Sequence, residues 1–120
     1  MSLDIFCENR DGVTVIKAGG EMDYHNFRVL KTAVEQSLAD GERKFIFDLA
    51  DLAYLDSSAL GSLLYNQKRV RDANGDMVVI AGRALTEILN LTHLDSYFNI
   101  VESVEAGQDR LAVSKIETRG

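Results

Sequence analysis

A carboxylate and two hydroxyls stand between two apolar segments in the stretch LDSSALG, residues 55–61. Such a junction fits the start of a helix with Asp56 as its N-cap, whose side chain would accept a hydrogen bond from the N–H of the second or third helical residue. Leu55 and Leu60 then have the spacing of a hydrophobic staple, with one residue before the cap and one in the first turn. The residues therefore predict a strand, a short loop and a helix start.

This placement makes Ser57 the first residue of the predicted helix. Its hydroxyl would lie near unpaired backbone N–H groups and the positive end of the helix dipole. A phosphate is tolerated at such a position, so Ser57 is a candidate phosphate acceptor whose modification would repel a docked protein without unfolding the domain. A purely structural cap explains the same residues, and the stretch alone leaves both interpretations open.

The strands that must hold this junction follow from hydrophobic patterning. Alternation over residues 3–7, a turn at 10–12 and a β-branched run at 13–16 predict a hairpin that Gly19 and Gly20 end. Short apolar runs at 45–47 and 77–80 predict strands buried on both faces, as in a parallel sheet. Cys7, the only cysteine, is predicted to be a small core or strand residue.

Helices are indicated between these strands by apolar residues at spacings of three and four. Phe27, Leu30, Val34 and Leu38 predict a first helix that Asp23 caps. A second helix is expected from Ser57 to about Arg71, and Leu85, Ile88 and Leu89 mark a third. An edge strand is expected at 97–101, and Ser103 would cap a last helix. The order β-β-α-β-α-β-α-β-α predicts an α/β domain, residues 1–120, with one central sheet and about four helices packed on it.

Composition and charge narrow the classes of partner. The net charge is −6 and no run of basic residues is longer than Lys68-Arg69, which argues against nucleic acid and anionic lipid as partners. No apolar stretch approaches the roughly 20 residues of a membrane span, and the N-terminus lacks the core of a signal peptide. We therefore expect a cytoplasmic, monomeric protein that binds other proteins.

Two chemical alternatives can be judged from their residues. An enzyme is disfavoured because Ser57 lacks a nucleophile elbow, the two histidines show no metal-ligand spacing, and no nucleotide-binding glycine pattern is present. We expect no catalytic residue, metal or cofactor. A receiver-like phosphoaspartate at Asp48 would need more acids nearby, and Asp11 and Glu21 fall on different loops.

Four segments, in order, resemble the STAS domains of bacterial anti-sigma factor antagonists, and together they span residues from about 13 to 106. Residues 56–61 resemble the signature D-S-[ST]-G-L-G, preceded at 48–55 by a D-L-x-x-L-x-x-L lead. Residues 20–23, GEMD, resemble the G-E-[LIM]-D segment before the first helix. Residues 75–79 and 91–98 resemble a later strand and the segment L-x-x-L-D-x-x-F. Ala59 departs from the signature, which has glycine there.

The resemblance implies a STAS fold, with a mixed, mostly parallel sheet, and a partner-switching circuit. In such circuits the unphosphorylated antagonist binds an anti-sigma factor, often a serine kinase of the histidine-kinase-like ATPase fold, and a PP2C-type phosphatase reverses phosphorylation. The phosphorylated serine corresponds to Ser57, with Ser58 as the second choice. The resemblance also implies that Asp56 positions this serine and that Glu21 and Asp23 meet the partner.

Gly61 has two interpretations, tight packing of the helix on the sheet or an open surface for a partner. The runner-up function is a STAS interaction module without a switch, serving chemotaxis, secretion or biofilm regulators.

Overall fold

The first two strands form the predicted hairpin. A computed structural model describes residues 2–119, with side chains described for 2–112, and places β1 at Leu3–Arg10 and β2 at Val13–Met22. They are antiparallel and joined by Asp11 and Gly12, whose φ angles of 54° and 84° are those of a type I′ turn. Cys7 lies in β1, as predicted, but it is exposed because β1 is at the edge of the sheet.

The predicted end of β2 at the two glycines is wrong, because the strand continues to Met22. Gly20 has a φ of +98°, and a Cβ there would meet the carbonyl oxygen of Ser2. Glycine is therefore needed at this close approach. Residues 14–17 of β2 pair with one parallel strand, and its last three residues pair with another. The register of the second pairing shifts between Gly20 and Glu21, where the partner strand has one extra residue.

Four more strands complete the sheet: β3 (Lys44–Leu49), β4 (Leu52–Leu55), β5 (Asp76–Ala81) and β6 (Ile100–Val101). The order is β1-β2-β3-β5-β6, with β4 paired to the end of β2, and every pairing except β1–β2 is parallel. The predicted mixed, mostly parallel sheet is confirmed. The sequence missed β4 and made the last strand too long, since Asp95–Tyr97 is a 3₁₀ turn.

Helices cover both faces of this sheet: α1 (Arg28–Ala39), α2 (Ser57–Asp72), α3 (Arg83–Thr92) and α4 (Val104–Arg119). Phe45 and Phe47 of β3 point into a core shared with α1, α2 and α3, whereas Ile46 joins a smaller core under Leu111 of α4. This alternation confirms that β3 is buried on both faces. Ser103 caps α4 as predicted, because its Oγ accepts the N–H of Ala106 at 3.0 Å.

The predicted cap of α1 is wrong. The helix begins at Arg28, and the preceding Phe27 makes no side-chain cap. Asp23 instead organises a turn, in which its carbonyl oxygen accepts the N–H of Phe27 at 2.9 Å and its carboxylate accepts the N–H of His25 at 2.9 Å. The residues between Asp23 and the helix form this turn, so the carboxylate never reaches the helical N–H groups.

Candidate functional site

The start of α2 is built as the sequence predicts. Asp56 is the N-cap, with extended backbone angles, and its Oδ1 accepts the N–H of Ala59 at 2.9 Å. Leu55 and Leu60 are both buried in the larger core, on either side of the cap. The cap satisfies one free donor of the helix, and the two leucines fix the direction in which the chain enters it.

The second oxygen of Asp56 has a role that local sequence could not reveal. Oδ2 accepts the backbone N–H of Tyr24 at 3.1 Å, and the N–H of Asp56 donates to the carbonyl oxygen of Met22 at 3.3 Å. One residue thus fastens the start of α2 to the end of β2 and to the turn that follows it. The contact places the GEMD segment and the DSS segment at one end of the sheet.

The segment 21–27 is held by its own hydrogen bonds. Asn26 accepts the N–H of Asp23 and donates to the carbonyl oxygen of Glu21, both at 2.9 Å. Asp23 is buried at 6% exposure, whereas Tyr24 is 61% exposed and its ring stacks on His25 with a centroid distance of 4.0 Å. Asp23 therefore shapes this segment from inside, and Tyr24 is the residue that reaches solvent.

Glu21 lies at the rim of the same surface. It is half-buried, and its register partner on β4 is Tyr54, which is 46% exposed. Register partners in a parallel pair point to the same face, whereas the neighbouring pair Met22 and Leu55 points into the core. Tyr24 and Tyr54 are two aromatic residues at this end that the sequence did not assign to the site. The signal for Tyr24 was its position directly after the GEMD segment.

Ser57 is exposed and is the first residue of α2. Within the described part of the chain, no group forms a hydrogen bond with its hydroxyl, and the first turn of α2 contains no acidic side chain. Ser58, in contrast, is half-buried. The helix dipole and free N–H groups at this end favour an added anion, so the geometry can carry a phosphate on Ser57.

Gly61 follows Ser57 by one helical turn, on the same side of α2. A Cβ at this position would have no neighbour within 4 Å among the described residues, and the glycine is exposed. The explanation by tight packing on the sheet is therefore wrong. The open surface around Ser57 continues along α2 past this glycine.

The residues that a receiver-like phosphoaspartate site or a metal site would need are not grouped in the described part of the chain. Asp48 accepts the N–H of Ala50 at 3.3 Å, and the acids that a receiver would need, Asp11 and Glu21, lie at opposite ends of β2. His25 is exposed beside Asp23, and His93 is the left-handed C-cap of α3. Among the described residues, no three histidine, cysteine or acidic side chains are grouped as metal ligands.

Comparison with known proteins matches the model of the STAS domain to residues 5–107. The chain belongs to the STAS domain family. The match includes the GEMD and DSS segments and ends inside α4. It agrees with the fold that was predicted from the four motif segments.

Similar STAS proteins share one description. An anti-sigma F factor antagonist of Paenibacillus polymyxa is 28% identical over 66% of this chain and 68% of its own length. An anti-sigma-B factor antagonist of Staphylococcus aureus is 23% identical over 88% of this chain and 98% of its own. The crystal structure of an anti-sigma factor antagonist from Mycobacterium paratuberculosis superimposes with a TM-score of 0.82 at 26% identity, covering 92% and 95% of the two chains.

The departure of this STAS chain from the family signature lies in its interior. Ala59, where the signature has glycine, is fully buried at 0% exposure in the larger core, so its methyl group is absent from the surface around Ser57. None of the helices in the described residues is long and apolar enough to span a membrane.

Proposed function

We propose that this protein is a cytoplasmic anti-sigma factor antagonist that is switched by phosphorylation of Ser57. In the unmodified state, the surface formed by α2 and the segment 21–27 binds an anti-sigma factor that is also a serine kinase of the histidine-kinase-like ATPase fold, and a sigma factor is released. Phosphorylation of Ser57 dissociates the complex, and a PP2C-type phosphatase restores binding. The role is regulatory and non-enzymatic, in keeping with the names of the relatives.

The observation that carries the proposal is the exposed Ser57 at the first position of a firmly capped helix. The phosphate adds a charge of about −1.5 to −2 where the fold tolerates an anion. A partner that covers Ser57 must then desolvate this charge beside Asp56. A penalty of about 2.7 kcal/mol lowers the affinity about 100-fold.

The neighbouring residues support a protein partner. Glu21 and Asp56 contribute negative charge, and the exposed rings of Tyr24 and Tyr54 offer the aromatic area that protein interfaces favour. The open side of α2 at Gly61 allows close approach of a second backbone. The buried position of Ala59 supports an unaltered surface, despite the departure from the family signature.

Mass spectrometry after incubation with the candidate kinase and ATP tests the modification. We expect one phosphate on the wild-type chain, located at Ser57, and none on Ser57→Ala. Ser58→Ala is the matched control because it removes the adjacent, half-buried hydroxyl. It should be modified as fully as the wild type. Modification of Ser57→Ala, or a phosphate at Ser58 in the wild type, would refute Ser57 as the acceptor.

A further inference from the structure

Strand β1 leaves one edge of the sheet open. It is the first strand in the sheet order, and among the described residues no other strand lies on its outer side. Its eight residues pair with β2 in an unbroken register without a bulge, and Phe6, on the same strand, is 68% exposed. A straight open edge without proline or a bulge is a template for another strand.

The hydrogen-bonding groups of this edge can be assigned from the register. The carbonyl oxygen of Ser2 accepts the N–H of Glu21 at 2.9 Å, one step beyond the pair Leu3–Gly20. Even-numbered residues therefore bond to β2, because bonding alternates along an antiparallel strand. The odd-numbered residues direct their N–H and C=O groups outward, and these residues are Leu3, Ile5, Cys7 and Asn9.

We propose that β1 pairs antiparallel with β1 of a second copy of this chain, about a two-fold axis at Cys7. In this register Cys7 faces Cys7, and Ile5 faces Asn9, through the outward backbone groups. Asp4 faces Arg10 of the second copy, and the symmetry makes this ion pair twice. The continuous sheet then spans both copies.

Charge selects this register over its neighbours. A slip that keeps every side chain on its own face moves the facing partner by two residues. One such slip places Asp4 opposite Glu8, and the other places Glu8 opposite Glu8, so each brings like charges together. The proposed register has no facing pair of like charge between residues 4 and 10.

The exposed ring of Phe6 also finds a place in this arrangement. Phe6 faces Glu8 of the second copy, and its diagonal neighbour across the axis is the second Phe6. Diagonal positions are about 7–8 Å apart, which aromatic side chains can bridge. Pairing therefore covers the one aromatic ring of β1 with its own symmetry mate.

The surface formed by α2 and the segment 21–27 stays accessible in this dimer. On the face of the sheet that carries α1–α3, α1 contacts both β1 and α2, so it lies between the edge strand and the helix that begins at Ser57. The dimer does not depend on the proposed function, and each copy would present its own Ser57. It replaces the monomer that the sequence suggested.

Charge-reversed variants test the register by sedimentation velocity over a concentration series. The wild type should form a dimer at high concentration. Asp4→Arg and Arg10→Asp each place like charges in both ion pairs, so each should weaken dimerisation about tenfold or more. An equimolar mixture of the two variants should recover the dimer, because the arginine introduced in one chain then faces the aspartate introduced in the other. Circular dichroism checks that both variants fold, since Arg10 also pairs with Glu8 at 2.9 Å.

Cross-linking of the wild type gives a second, independent measurement. A short bis-maleimide at mildly alkaline pH should join two chains through Cys7, and Cys7→Ser should give no product. A wild type that stays monomeric at all concentrations, variants that dimerise as well as the wild type, or a mixture that fails to recover the dimer would each overturn the proposal. Strand pairing with an unrelated protein predicts the first of these results.

Discussion

The carboxylate of Asp56 joins the backbone N–H of Tyr24, 3.1 Å from Oδ2 and 32 residues away in the chain, to the first turn of α2, where Oδ1 holds Ala59. This side chain therefore helps to fix the GEMD and DSS segments to each other, together with the bond from the N–H of Asp56 to the carbonyl oxygen of Met22. A partner that contacts both segments meets them in one relative position. Binding then requires little reordering of either segment, which favours affinity.

Substitution of Asp56 separates its two contacts. Asp56→Ala removes both acceptors, and we expect it to lower the free energy of unfolding by about 2 kcal/mol, since a lost cap and an unpaired N–H each cost about 1 kcal/mol. Asp56→Asn keeps a capping oxygen but places an NH₂ group where one acceptor was, so it should cost about half as much. Urea denaturation measures both values. Equal stability of the alanine variant and the wild type would contradict the stabilising role of the two Asp56 contacts.

Gly61 is predicted to trade stability against binding. Gly61→Ala has free space, so the higher helix propensity of alanine should stabilise the protein by up to about 1 kcal/mol. The added methyl group lies one turn beyond Ser57, so the same variant should bind the partner more weakly. Thermal denaturation and calorimetric titration check the two effects.

Gly107 in α4 is the matched control for that substitution. A Cβ at Gly107 would approach Cδ1 of Ile46 to 2.8 Å and Cγ2 of Val78 to 3.2 Å in the smaller core. Gly107→Ala should therefore destabilise the protein by about 1 kcal/mol and leave partner affinity unchanged. If both variants changed stability in the same direction, the contrast between an open and a packed helical glycine would be wrong.

Local signals predicted much of this fold and site. The cap at Asp56, the staple, the hairpin and the strand β3 depend on neighbours within a few residues, and the structure confirms them. Long-range pairing explains most of the misses. Strand β4 is a four-residue strand that pairs with the distant end of β2, and the contact from Asp56 to Tyr24 also joins distant residues. The residue pattern at 52–55 does not indicate that this segment pairs with β2.

The exposure of the aromatic residues also could not be predicted from the sequence. Tyr54 and Tyr65 are both partly exposed, at 46% and 44%. Tyr65 has an additional cation partner, since Nζ of Lys31 lies 5.1 Å from its ring centroid. Burial depends on which helix packs against each residue, and residue type alone does not contain that information.

Tyr24 should be a binding residue. Its ring is exposed beside the contact between Asp56 and the backbone of Tyr24. Tyr24→Ala should therefore weaken partner affinity about tenfold or more while changing stability by less than about 1 kcal/mol. Tyr97→Ala is the control, since this tyrosine is 58% exposed but lies far from Ser57. Its carbonyl oxygen accepts a hydrogen bond from Gln67, which is about ten residues, or roughly 15 Å, along α2 from Ser57. Surface plasmon resonance with the immobilised anti-sigma factor compares the two. Equal losses of affinity in the two variants would contradict a specific role for Tyr24 in binding the partner.

The most direct test of the switch is the dissociation constant of the anti-sigma factor for three forms of the protein, measured by calorimetry. The unmodified wild type and Ser57→Ala should bind equally well, and the form phosphorylated at Ser57 should bind about 100-fold more weakly, with thermal stability unchanged within about 1 kcal/mol. Equal affinity of the phosphorylated and unmodified forms would contradict the central claim that charge at Ser57 controls binding.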